Sequence, residues 1–232
     1  MTTWTRKKVA KTLDHAALKP TMTDKDIAEA CQLGRKYGVA TVCVRPSDVP
    51  LAARELAGSD VKVSVVIGFP HGAHRPETKA LEARLAIRDG AKELDMVMKI
   101  GMFLSGDFAW VQQDIAGVVA EAKPAGALVK VILESSYLSL EQVAKACQIA
   151  QAAGANFVKT STGFAEGGGG ATKEAIAVMV KTVGATMGVK ASGGVRDYAG
   201  AVAFLEQGCT RLGTAGGTKP ICENAPADGG GY

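Results

Sequence analysis

Lys159 and Lys190 each close a short apolar run that opens into glycine-rich sequence, in Asn156-Phe157-Val158-Lys159-Thr160-Ser161-Thr162-Gly163 and Met187-Gly188-Val189-Lys190-Ala191-Ser192-Gly193-Gly194. A lysine at the end of a buried strand gives up water, which disfavours the ammonium and lowers its pKa. The ordinary value of about 10.4 leaves well under ~1% free amine at neutral pH, and a shift of roughly 3 units costs about 4 kcal/mol. A nucleophilic lysine therefore needs burial, a neighbouring cation, or both. If the two side chains point inward from consecutive strands, Lys159 can form a Schiff base with a carbonyl, and Lys190 is the cation that depresses its pKa. Asp95, in Glu93-Leu94-Asp95-Met96-Val97, could take and return the proton of a substrate hydroxyl. The plainer reading makes each lysine a snorkelling rim residue or half of a buried ion pair, with Asp95 a counter-ion. Two lysines on consecutive strands, together with a carboxylate, favour chemistry.

The elements that must position these groups follow from periodicity. Strands are expected at Val9–Leu13, Val39–Val44, Val61–Ile67, Glu93–Met98, Leu128–Leu133, Phe157–Lys159, Met187–Lys190 and Thr210–Leu212. Between them, helices are expected over Thr23–Tyr37 (N-cap Thr23, stop at Gly38), Pro46–Ala57 and Pro76–Asp89. Further helices lie along the face Phe108, Val111, Ile115, Val118 and Ala122, behind the capping box Ser139–Gln142, over Thr172–Val183, and from Asp197 to Glu206. Eight strands alternating with helices over 232 residues, with no linker, predict one α/β domain across 1–232. Its fold is expected to be a single (β/α)8 TIM barrel, with a flexible tail from about residue 222. The alternative, an open doubly wound sheet, lacks its glycine signature after an early strand. Barrel active sites lie at the C-terminal ends of the strands, where Asp14, Asp95, Lys159 and Lys190 fall. Alternation along a strand then puts Phe157 inward with Lys159 and Val158 outward, and Val97 inward with Asp95 and Met96 outward.

Glycine segments end the last three strands: Thr162-Gly163, Ser192-Gly193-Gly194-Val195-Arg196 and Gly213-Thr214-Ala215-Gly216-Gly217. Loops after strands seven and eight commonly bind phosphate through backbone N–H groups. Gly163, Gly193, Gly194, Gly213, Ala215 and Gly216 are the candidate lining, and Arg196 adds a charged fork. Gly167–Gly170 reads as a mobile lid or a loose connector, the latter being the simpler expectation. His71 and His74 have chelate spacing, but no carboxylate or cysteine accompanies them in a recognisable pattern, so no metal is expected. A net charge of +4 with scattered basic residues excludes a nucleic-acid footprint. No apolar window approaches a membrane span, no signal peptide is evident, and the five cysteines form no C-x-x-C, four of them lying in apolar periodic segments as expected of buried thiols, which fits a cytoplasmic protein.

These lysine and aspartate segments, with Leu13-Asp14-His15-Ala16-Ala17-Leu18-Lys19-Pro20 and Val66-Ile67-Gly68-Phe69-Pro70-His71-Gly72, closely resemble the deoxyribose-phosphate aldolase family. The resemblance runs in order through nearly the whole chain. It implies a cofactor- and metal-free class I aldolase that reversibly cleaves 2-deoxy-D-ribose 5-phosphate to acetaldehyde and D-glyceraldehyde 3-phosphate in deoxynucleoside catabolism. It also implies that Lys159 forms the Schiff base, that Lys190 and Asp95 serve proton transfer and pKa control, and that Asp14 supports their network. A cytoplasmic homodimer fits the family habit. Two departures concern the phosphate loop and the tail. Gly213-Thr214-Ala215-Gly216-Gly217 stands where the family often has Gly-Thr-Ser-Ser-Gly, which implies weaker phosphate affinity. Tyr232 matches, by position, a tail tyrosine that assists proton transfer in some members; a frayed terminus is the equal alternative.

Overall fold

A computed structural model describes residues 3–228. The strands are β1 (Leu13–Ala17), β2 (Thr41–Val44), β3 (Lys62–Ile67), β4 (Glu93–Val97), β5 (Leu128–Ile132), β6 (Phe157–Lys159), β7 (Gly188–Ser192) and β8 (Arg211–Thr214). The helices are α1 (Arg6–Ala10), α2 (Asp24–Tyr37), α3 (Val49–Glu55), α4 (Pro76–Arg88), α5 (Ile100–Leu104), α6 (Phe108–Ala122), α7 (Leu140–Ala152), α8 (Lys173–Val183), α9 (Tyr198–Glu206) and α10 (Thr218–Asn224). All strands run parallel in chain order, and β8 returns to β1 through Leu13↔Leu212, Asp14↔Gly213 and His15↔Thr214, closing the expected TIM barrel.

Local chemistry sets the helix starts. Thr23 and Ser139 each form a reciprocal capping box, with Asp26 and Gln142 respectively. Thr172 and Asp197 accept the backbone N–H of Ala175 and Gly200. The α6 face buries Val111, Ile115, Val118 and Ala122 and also Asp114, whose carboxylate meets the buried Lys79 ammonium at 2.5 Å. Lys79 donates as well to the Val97 carbonyl at 2.9 Å, so this pair ties α4 and α6 to the end of β4. Periodicity alone had made that face purely apolar.

Three expectations change. Val9 and Ala10 end α1, which packs on α10, and the first strand starts at Leu13. Alternation of apolar and polar residues begins only there, with Leu13 and Asp14, which is why the earlier apolar pair does not continue into the sheet. Strands β7 and β8 each run two residues further than their apolar patterns, because Ser192 and Gly213 still pair in the ladder. At the C-terminus, Cys222 is fully buried within α10 and the Asp228 carboxylate accepts the Lys7 N–H at 3.0 Å, so packing continues past residue 222. Tyr232 lies outside the described residues.

The two faces of the strands separate as alternation requires. Met96, Val131, Val158, Val189 and Leu212 join Ile115, Val118 and Ile176 of the surrounding helices in one hydrophobic core. The opposite parity carries Asp14, Asp95, Lys130, Lys159, Lys190 and Arg211. These pair across strands that are not neighbours, such as β4 with β6 and β1 with β5, which only inward-pointing side chains can do. Phe157 shares this inward face, with the Arg211 guanidinium 5.5 Å from its ring centroid.

Gly188 stands opposite Phe157 in the ladder, and a Cβ at 188 would lie 2.1 Å from the ring. Gly188→Ala is therefore expected to cost roughly 1–3 kcal/mol by overpacking, read as a drop of several degrees in Tm by calorimetry. An unchanged Tm would show that Phe157 has room to move.

Candidate active site

Asp95 is the hub of the barrel interior. Its Oδ2 accepts from Lys159 Nζ at 2.8 Å and from Lys190 Nζ at 2.7 Å. Its Oδ1 accepts from Lys130 Nζ at 2.7 Å and from the Ser64 hydroxyl at 3.1 Å. Lys190 reaches on to Asp14 Oδ2 at 2.5 Å, and the Thr41 hydroxyl donates to Asp14 Oδ1 at 2.7 Å. Beneath them, Lys130 meets Glu93 at 2.5 Å, and Arg211 forks onto Glu93 at 2.8 and 3.1 Å while touching Asp14 at 2.7 Å. The sequence-derived residues Asp14, Asp95, Lys159 and Lys190 thus come together in one cluster.

Four cations (Lys130, Lys159, Lys190, Arg211) face three carboxylates (Asp14, Glu93, Asp95) in this cluster. Fully ionised, it would bury a net positive charge, which is costly away from water. Lys130 touches three carboxylates, and Lys190 and Arg211 two each; Lys159 touches only Asp95, through an oxygen it shares with Lys190. Lys159 is the cation held most weakly. Burial drives its pKa below the ordinary lysine value against the pull of Asp95, and the Lys190 charge adds to the depression. Burial, rather than Lys190, is the larger cause.

Lys190, Asp95 and Asp14 are held in their charged forms. Burial opposes the Lys190 ammonium, but Asp14 and Asp95 raise its pKa above the ordinary value. Burial likewise opposes the Asp95 carboxylate, which Lys130, Lys159 and Lys190 nonetheless hold well below its usual range. Asp14 is lowered in the same way, against burial, by Lys130, Lys190 and Arg211.

A cavity of about 960 Å³ opens above the cluster at the C-terminal ends of the strands. Lys159, Lys190 and Asp14 line it, whereas Asp95 is fully buried beneath and is not part of the wall. Asp95 is joined to the cavity wall through its bonds to Lys159 and Lys190. All seven expected anion-loop residues, Gly163, Gly193, Gly194, Arg196, Gly213, Ala215 and Gly216, line the same cavity. Gly213 also makes room for Lys190, because a Cβ there would lie 3.1 Å from its Cε. The Thr214 hydroxyl is already engaged by the Gly217 N–H at 2.7 Å.

The run Gly167–Gly170 is fastened at its end, whereas a Cβ at Gly167 or Gly168 would meet nothing within 4 Å. Ala171 N–H donates to the Ser192 and Gly193 carbonyls, and Gly170 lies so close to Gly193 that a Cβ would come within 2.6 Å of the Gly193 carbonyl oxygen. Glycine serves close backbone approach here. His71 and His74 are exposed loop residues. Cys43 lines the cavity, but burial raises its thiol pKa, which disfavours thiolate.

Sequence reasoning missed Lys130, Glu93, Arg211, Thr41 and Ser64 as members of the cluster. A signal was present: Glu93 shares Asp95's parity, and Lys130 interrupts the apolar run Leu-Val-Lys-Val-Ile. Attention to strand ends passed over the middle of β5.

Residues 8–216 match the family model of DeoC/LacD family aldolases. The chain is 49% identical over 216 residues, 93% of each protein, to deoxyribose-phosphate aldolase of Caldanaerobacter subterraneus subsp. tengcongensis. It is 51% identical to that of a Geobacillus species, over 92% of this chain and 94% of that one. A solved structure described as a unique tetrameric deoxyribose phosphate aldolase from Aeropyrum pernix superposes with a TM-score of 0.86 at 30% identity, covering 94% of this chain and 91% of that one.

Replacing Lys190 by Met removes a like charge beside Lys159 and leaves Asp95 more fully to it, so the Lys159 pKa should rise. Borohydride trapping of the acetaldehyde imine, followed against pH, should then reach half-maximum at a higher pH than in the wild type. A midpoint that stays put would remove Lys190 from control of the nucleophile.

Proposed function

The chain belongs to the DeoC/LacD family of aldolases, and from that premise we propose that it reversibly cleaves 2-deoxy-D-ribose 5-phosphate to acetaldehyde and D-glyceraldehyde 3-phosphate through a Schiff base on Lys159. It is a carbon–carbon lyase. The observation that carries the mechanism is the singular position of Lys159: it lines the cavity and has the weakest carboxylate support of the buried cations.

The free amine of Lys159 adds to the C1 carbonyl of the open-chain sugar, and uptake of one proton with loss of water leaves a protonated imine, the proton being returned when the final imine is hydrolysed. Breakage of the C2–C3 bond sends its electron pair into that imine, giving an enamine, while the C3 hydroxyl loses its proton and becomes the aldehyde of glyceraldehyde 3-phosphate. Lys190 lines the cavity and is bonded to Asp95, so it can pass one proton to Asp95 as it takes the hydroxyl proton. Enamine formation removes a positive charge beside Asp95, which raises the basicity of that carboxylate at the step that needs it. Return of the proton to C2 and hydrolysis release acetaldehyde and regenerate Lys159. The glycine loops with Arg196 would hold the phosphate at the other end of the cavity.

This reading extends to a cytoplasmic homodimer acting on small sugar phosphates and aldehydes in deoxynucleoside catabolism. Five free, buried cysteines suit a reducing compartment, and no helix among the described residues is long and apolar enough to cross a membrane.

Incubation with deoxyribose 5-phosphate followed by borohydride should place a two-carbon adduct on Lys159, with acetaldehyde as the other assay of turnover. An adduct elsewhere, or none, refutes the mechanism; cleavage without acetaldehyde points to a longer sugar phosphate. Removal of Tyr232 should lower turnover while imine trapping persists, and full turnover in the truncated enzyme would exclude the tail from proton transfer.

A further inference from the structure

Among the described residues, Glu134 is the one non-glycine residue with left-handed backbone, at φ 52° and ψ 61°. A residue bearing a Cβ occupies that region at a cost, and such positions concentrate near functional sites. Glu134 lies two residues beyond β5, is 2% exposed, and opens the tight turn Ser135–Tyr137. Its carboxylate turns toward the segment that follows Lys159. There it accepts the Thr162 backbone N–H at 3.2 and 3.3 Å, and the Thr162 hydroxyl as well. With its proton given to Glu134, Thr162 Oγ1 accepts the Phe164 N–H at 3.0 Å. The Phe164 ring then meets Phe69 edge to face, with centroids 5.2 Å apart and planes at 83°.

Contacts thus run from Glu134 to Thr162 to Phe164 to Phe69, from a residue outside the cavity to its rim. Thr162, Gly163 and Phe164 all line the cavity, as do the loops at Gly193 and Gly213. Three bonds of 2.9 Å keep the two segments in step: Leu133 N–H to the Lys159 carbonyl, Ser135 N–H to the Thr160 carbonyl, and Glu166 N–H to the Tyr137 hydroxyl. These backbone bonds fix the direction of the segment without fixing the Thr162 hydroxyl. Glu134, whose oxygens accept from Thr162, takes the donated proton of that hydroxyl and leaves its lone pair for Phe164.

We propose that Glu134 is a positioning residue for the aldolase reaction: it orients Thr162, and through it sets the Thr162–Phe164 wall against which the sugar phosphate lies. The proposal rests on the substrate reading above. Lys159 is held separately, by its own strand and by Asp95, so loss of Glu134 weakens substrate binding more than it slows the bound complex.

Steady-state cleavage of deoxyribose 5-phosphate tests this, with rates divided by the enzyme that borohydride and acetaldehyde can trap. Glu134→Ala should raise KM about 10-fold, the effect of one lost charge-assisted hydrogen bond, with a smaller change in kcat. Glu134→Gln keeps one acceptor and should recover most of the KM. Thr162→Val, which removes only the hydroxyl link, should raise KM without a comparable fall in Tm, and serves if Glu134→Ala does not fold. Glu134→Ala combined with Thr162→Val should be no worse than Glu134→Ala alone. An unshifted KM, a loss confined to the trappable fraction, no rescue by Gln, or additive effects would each overturn the proposal. Wild-type enzyme that fails to cleave the sugar overturns the substrate reading with it, whereas normal wild-type turnover isolates the failure to Glu134.

Discussion

Charge balance inside a closed, dry barrel is the constraint on which this site depends. Asp95 has only two oxygens to offer three lysines, and Glu93 and Asp14 are largely taken by Lys130, Lys190 and Arg211. The shortfall falls on Lys159, whose ammonium is both desolvated and poorly paired. A nucleophilic amine at neutral pH is then less a property of one lysine than of the arithmetic around it. The same arrangement keeps Lys190 charged and near, so an acid and an amine coexist within reach of one carboxylate.

How much of this could be read in the sequence varied with the kind of signal. Helix caps at Thr23, Ser139 and Asp197 are local hydrogen-bond patterns, and they were legible as such. Strand parity around Lys159 and Asp95 was legible too, because alternation has a fixed period. The partners of Lys130 and Arg211 were not, since they stand across the barrel and no local pattern carries that distance, although Lys130 itself interrupts an apolar run. The Lys79–Asp114 pair escaped for the same reason: each member is ordinary on its own helix, and only the packing of α4 on α6 joins them.

The loops divide the labour of the cavity. On one side, small residues let backbones approach: Gly170 rests on Gly193, and Gly213 spares the stem of Lys190. Elsewhere, side-chain contacts hold Thr162 and Phe164 in the wall, backed by the Glu134 carboxylate and the Phe69 ring. Reading Gly167–Gly170 as slack captured the composition but not its use, because glycine permits tight contact as readily as freedom.

The seam between β1 and β8 has a consequence for how the protein comes into being. Arg211 arrives on the last strand, yet it is the partner of Asp14 on the first and of Glu93 on the fourth. A nascent chain that has made β1 to β7 has an open cylinder, with Asp14 and Glu93 short of a cation and still in water. Ring closure therefore expels solvent and completes the electrostatic ledger in one late, long-range event. The burial that pushes the Lys159 pKa down is therefore complete only once β8 has closed on β1.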